Sequence, residues 1–196
     1  DRLYVVDKGN IRIQILSLEG KFVKEIDLSS IGESIKIMDL EIINDSVFFT
    51  TSSPNEHKEK IYQIDKNDIV SAHYRLNSSK SITSMDNKVI FYNRSDGRGN
   101  IKSIINNEVN NEFDLPKGLY QPGDIFYNTL DNMYYILDGN RADIDRFSID
   151  GNYINTVYDG DVYKELYLKN ISINNNGVIY FITHQNKLYK LWKKDL

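Results

Sequence analysis

The 196-residue sequence predicts an all-β fold, a β-propeller of four-stranded antiparallel blades. Three observations carry that expectation: a meander of short apolar runs at the start, its return later in the chain, and similar runs spaced evenly between the two copies.

The meander spans Leu3 to Leu28. Its runs Leu3–Val6, Ile11–Leu16 and Phe22–Ile26 are rich in β-branched and aromatic residues with partial alternation, the pattern of strands rather than helices. Between them lie Asp7-Lys8-Gly9-Asn10 and Glu19-Gly20-Lys21, residues that supply positive φ or side-chain bonds to the backbone in tight turns. The second copy runs from Tyr134 through Asp150-Gly151-Asn152-Tyr153. Asp138 stands for Asp7 and Gly151 for Gly20, and both pairs are 131 residues apart. That offset is about three periods of the ~40–45 residues expected of a propeller blade. Apolar runs beginning at Val47, Val89, Tyr134 and Ile179 follow Leu3 at steps of 44, 42, 45 and 45 residues.

Taken in order, Asp1 to Ile26 supplies the second, third and fourth strands of a first blade. Blade two uses Ile37–Ile43 as its innermost strand, then Val47–Thr51, Ile61–Ile64 and Ile69–Leu76. Blade three uses Ile82–Met85, Val89–Tyr92, Ile101–Ile105 and Val109–Leu115, with an expanded hairpin from Asn93 to Asn100. The turn-rich stretch from Pro116 to Gly123 crosses to blade four, which ends near Tyr158. Blade five uses strands near Leu168–Asn174, Val178–Thr183 and Leu188–Trp192. One domain over residues 1–196 is expected, with blades at about 1–28, 37–76, 81–115, 123–158 and 167–196.

The residues Tyr4-Val5-Val6-Asp7-Lys8-Gly9-Asn10-Ile11-Arg12-Ile13-Gln14, followed by Glu19-Gly20-Lys21-Phe22, resemble the NHL repeat and related six-bladed propellers of bacterial secreted proteins and lipoproteins. Asn170 to Phe181 is similar to the same repeat's innermost strand and first turn. The likeness is closest in blade one and holds in blades four and five. In blades two and three, Thr50-Thr51 and Asn93-Arg94 replace the turn motif. The resemblance implies six blades, of which about four and a half are present, so that further blades are expected outside this chain; an open end would leave strand edges unpaired. It also implies a periplasmic, cell-surface or extracellular location, and leaves open whether a signal peptide or lipid anchor lies outside the chain. Repeats of this kind specify a fold rather than an activity.

Composition excludes some functions. A formal charge of −4 offers no field to attract nucleic acid. The absence of cysteine removes disulfides, thiol catalysis and Cys-ligated zinc. No apolar run is long enough to span a bilayer. There is neither a phosphate-binding glycine loop opening a helix nor a Gly-x-Ser-x-Gly elbow. The Lys187–Lys194 run reads as a solvated strand side and tail.

The expected function is non-catalytic binding of a protein, peptide or glycan by a monomer that needs no cofactor. The face made by loops joining second to third strands, and outermost strand to next blade, carries Arg94, Arg98, Tyr120 and Arg141. Cations and a phenol there suit anionic or planar ligands. Asp7 and Asp138 are expected to bond backbone N–H groups of their own turns rather than to hold calcium. His57, His73 and His184 are too dispersed for a shared metal. The alternative is a lactonase-like, metal-dependent hydrolase or lyase. Resemblance to such enzymes implies calcium or another divalent cation held by Glu, Asn and Asp of inner strands, with Asp39, Glu41, Asp86, Asp124 and Asn170 as the candidates.

Overall fold

The computed structural model describes residues 2–32, 35–52, 59–76, 81–95, 98–116, 122–139, 141–159, 168–174, 176–183 and 188–191. They form two compact units, Asp1–Leu76 and Asn77–Leu196, and contain β-strands with a single short 3-10 turn at Ser29–Ile31.

The first unit holds two antiparallel blades. Blade one is β1 (Leu3–Asp7), β2 (Arg12–Leu16) and β3 (Phe22–Asp27), paired in that order. Blade two is β4 (Lys36–Ile43), β5 (Ser46–Ser52), β6 (Glu59–Ile64) and β7 (Val70–Leu76).

The second unit holds three. Blade three is β8 (Ile82–Met85), β9 (Lys88–Ser95), β10 (Arg98–Ile105) and β11 (Glu108–Asp114). Blade four is β12 (Pro122–Asn128), β13 (Met133–Asp138), β14 (Ile144–Ser148) and β15 (Tyr153–Tyr158). Blade five is β16 (Leu168–Ile173), β17 (Ile179–Thr183) and β18 (Leu188–Leu191). The described residues thus give five blades of a β-propeller, where the resemblance implies six.

Blade three departs from expectation in one respect. Its hairpin is not expanded from Asn93 to Asn100, because the strands continue through Arg94↔Gly99 and Ser95↔Arg98. Polar side chains do not stop a strand whose ladder stays paired, and Gly99 lets the ring of Tyr92 lie over the backbone. A Cβ at Gly99 would stand 2.6 Å from Tyr92 Cε2.

The same turn recurs between third and fourth strands. In blades one, two and four it begins at Ser17, Asp65 and Ser148, whose carbonyls accept from the N–H of Gly20, Asp68 and Gly151. Those three residues have φ of 79°, 63° and 81°, the left-handed conformation that closes a type I turn with a bulge. Blade three instead uses Asn106 and Asn107, φ 49° and 68°, the signature of a two-residue primed turn.

The second strands explain the cores. In β13 the run Tyr134-Tyr135-Ile136-Leu137 is buried throughout, and alternation sends its members to opposite sides. Tyr134 and Ile136 join a core with Tyr92, Ile101, Phe113 and Phe147. Tyr135 and Leu137 join another with Ile144, Ile171 and Phe181. A sheet covered on both faces needs such a continuous apolar strand. In the first unit, Val47 and Phe49 of β5 pack with Ile13, Ile15 and Ile26 of blade one.

Candidate functional site

In the second unit, the ends of β9 and β13 and the starts of β10 and β14 build one end of blades three and four, where the sequence places Arg94, Arg98 and Arg141. Arg94 is exposed near the end of β9, opposite Gly99, and makes no ion pair among the described residues. Arg98 begins β10, one pair further toward the hairpin. Tyr120, with His57 and His184, lies outside the described residues.

Arg141 is committed to its own blade. Its Nε, Nη1 and Nη2 meet Asp138, Asp143 and Asp145 at 3.0, 3.1 and 2.8 Å. Burial opposes the guanidinium charge, but the hydrogen bond to Asp138 and the charges of Asp145, Asp143 and Asp138 outweigh it and raise the pKa. Three acids that burial would otherwise penalise have this cation as their common counter-charge. The Arg141 N–H also reaches Asp138 Oδ1 at 3.3 Å, so Asp138 does bond its own turn.

The equivalent Asp7 of blade one behaves differently. Its carboxylate accepts first from the Asn10 side chain and then from Arg12, at 2.9 and 2.8 Å, and these bonds hold its pKa low; the Asn10 N–H contributes least. Side-chain donors therefore lead there, not the turn backbone. The left-handed residues of the two turns are Ile11 and Ala142, φ 50° and 59°, rather than Gly9.

Tyr92 joins the two groups. Burial pushes its phenol pKa up, Arg94 pulls it down and Asp138 pushes it up. Its hydroxyl is buried without a hydrogen-bond partner among the described residues, as is Asn100 Oδ1 on the paired strand. Such orphaned polar atoms are uncommon in native interiors. In the sequence Tyr92 is one more member of an apolar strand run; the signal that marks it is Gly99, a strand glycine of the kind found at close approaches.

The inner strands give a second arrangement. Blade register places Asp39, Ser81, Asp124 and Asn170 at one equivalent position, and a register shift precedes Asp39, Asp124 and Asn170 in their strands. In the second unit Asp124 is buried and tied to both flanking blades. Its Oδ1 accepts from the Ser81 hydroxyl and, at 2.9 Å, from Ile125 N–H; its Oδ2 accepts from Ile171 N–H at 2.7 Å. Asp39 repeats the local part, accepting from Leu40 N–H at 2.9 Å. Asp86 sits apart, exposed in the β8–β9 turn.

A calcium ion asks for six to eight oxygen ligands, several of them carboxylate. The second unit offers one carboxylate at this position, and both its oxygens already hold protein donors. Among the described residues no group of three or more His, Cys, Asp or Glu is placed to hold a metal ion. Within the described residues of the second unit, Asp124 is thus engaged by protein donors at both oxygens.

No protein-family model matches this sequence, and no curated protein matches it. Solved structures do. A calcium-binding regucalcin from Agrobacterium tumefaciens superposes with a TM-score of 0.72 at 12% identity, over 93% of this chain and 70% of that one. A nidogen/laminin complex gives 0.71 at 16%, over 97% and 73%. A gluconolactonase from Xanthomonas campestris gives 0.68 at 12%, over 96% and 67%. Likeness at such identities establishes the fold alone: the chain is a β-propeller of four-stranded antiparallel blades. The functions of its fold neighbours diverge.

Proposed function

We propose that the chain is a non-catalytic binding propeller, six-bladed and NHL-like, working in the periplasm or at the cell surface. The β9–β10 end of blade three takes an anionic protein, peptide or glycan. One observation carries the reading: Arg94 is exposed and without an ion-pair partner among the described residues, whereas Arg141 is absorbed by three aspartates. An uncommitted guanidinium offers paired N–H donors to a carboxylate, sulfate or phosphate. Arg98 stands at the next strand pair.

The test is an array of acidic peptides and of carboxylated and sulfated glycans, probed with the wild-type chain and with Arg94→Glu. Hits in one ligand class that the variant loses, and that weaken as salt rises, support the reading. Hits that survive the charge reversal, or none at all, overturn it.

The lactonase-like alternative has one observation in its favour, the shared register of Asp39, Asp124 and Asn170. Hydrolysis of a sugar lactone that Asp124→Asn abolishes would establish it instead.

A further inference from the structure

Blade four carries large apolar side chains where its folding has no use for them. Beyond the last β13–β14 pair, Met133↔Ser148, the chain leaves in two turns side by side, residues 129–132 and 149–152. This is the end of the blade opposite the Arg141 turn. Leu130, Ile149 and Tyr153 are 57, 46 and 51% exposed there. Tyr153 pairs with Phe147 in the register and meets its ring edge-on at 5.8 Å, so it borders the second turn.

Neither turn requires an aliphatic residue. The first is held by Asn128 Oδ1, which accepts from Leu130 N–H at 3.2 Å, and the second by the Ser148 carbonyl, which accepts from Gly151 N–H at 2.9 Å. Blade two closes the same turn, Asp68 N–H to the Asp65 carbonyl at 3.0 Å, with exposed Lys66 where blade four has Ile149. Small polar residues are the usual choice at such positions. Blade one nevertheless repeats the apolar pair: Leu18 and Phe22, the equivalents of Ile149 and Tyr153, are 58 and 61% exposed. Exposed apolar groups gathered in one place mark an interaction surface.

The charge beside them is acidic. Asp150 follows Ile149, and Asp131 follows Leu130. Burial leads in raising the Tyr127 pKa, and Asp86 and then Asp131 add to it, so the β8–β9 turn brings Asp86 to the same phenol. Asp131 is half-buried and accepts from the Tyr135 hydroxyl at 2.6 Å. Asp86 and Asp150 are exposed and form no ion pair among the described residues. Of the nearby cations, Lys88 is ion-paired with Glu112 at 3.2 Å, and Arg146 is half-buried beside Tyr135.

We propose that this end of blade four docks a partner protein through a segment carrying large apolar side chains beside lysine or arginine. Leu130, Ile149 and Tyr153 receive the apolar groups, and Asp86 and Asp150 receive the cations. The acids decide between occupants: two copies of the chain meeting at this patch would set like charges together, and an anionic bilayer would be repelled.

Selection of a random-peptide phage library on the whole chain, followed by titration of the enriched peptides, tests this. The expected peptides combine several large apolar residues with net positive charge. Leu130→Ser/Ile149→Ser and Asp150→Lys should each weaken them at least about tenfold, whereas Arg94→Glu leaves them unchanged. These positions are exposed, and a thermal melt of each variant verifies folding. No enrichment, acidic or uncharged winners, or winners that bind both patch variants like the wild type overturn the proposal. Self-association in sedimentation, or capture on phosphatidylcholine vesicles, that Leu130→Ser/Ile149→Ser abolishes also overturns it, by assigning the patch to a second copy or to lipid.

Discussion

Asp124→Ala removes the acceptor joining the inner strands of blades three, four and five. The side chain satisfies the Ser81 hydroxyl and the N–H groups of Ile125 and Ile171, all at buried positions. The Ile125 N–H keeps a second acceptor, Ser81 Oγ at 3.3 Å. The Ile171 N–H loses its carboxylate acceptor. Hydrogen bonds to charged groups contribute about 1.5–3 kcal/mol, and an orphaned buried donor costs about 1–3 kcal/mol. Counting one lost charged bond and one orphan gives a destabilisation of about 2.5–6 kcal/mol. Asp124→Asn keeps one carbonyl oxygen and should cost about 1–3 kcal/mol. Urea unfolding followed by tryptophan fluorescence and circular dichroism measures both, and coupling with Ser81→Ala in a double-mutant cycle isolates the hydroxyl bond. A loss below about 0.5 kcal/mol for alanine, within the range of an inconsequential surface change, would refute the bracing role.

Three further outcomes are expected. Gly20 and Gly151 share φ near 80°, but a Cβ at Gly20 meets nothing within 4 Å, while one at Gly151 would stand 2.4 Å from Phe113 Cγ. Gly20→Ala should therefore cost about 1–2 kcal/mol of backbone strain, and Gly151→Ala about 1–3 kcal/mol more, read as the difference between two denaturant midpoints. Arg141→Ala should cost roughly 2 kcal/mol or more, below the ~3–5 of a fully buried pair because Arg141 partly faces water. Burial lowers the pKa of His73, which lies 3.4 Å from Ser71 Oγ. The unfolded chain therefore binds the proton more readily, and stability present above pH 6.5 falls as pH drops through that value toward the folded pKa. His73→Gln should flatten that segment of a stability-versus-pH curve.

The strands were legible because the run at Tyr134–Leu137 needs apolar cover on both faces, which only stacked sheets provide. The repeat was legible because its third-to-fourth-strand turns demand a left-handed residue, and Gly20 and Gly151 mark it. Asp68 adopts the same conformation without being glycine, and so went unremarked. The site was less legible. Arg94 and Arg141 look alike in sequence, and only the meeting of β13, its turn and β14 shows that Arg141 is spoken for. By residue type alone Asp124 is an axial cation candidate; the Ile171 N–H that occupies it is 47 residues away and leaves no local signature.

The central claim is that this propeller binds a partner without a metal at its inner strands. Elemental mass spectrometry of the purified, dialysed protein, with thermal melts in calcium and in chelator, tests it most directly. The account predicts no stoichiometric divalent ion and the same melting temperature in both solutions. One ion per chain, lost in Asp124→Asn and taking part of the thermal stability with it, would contradict the account.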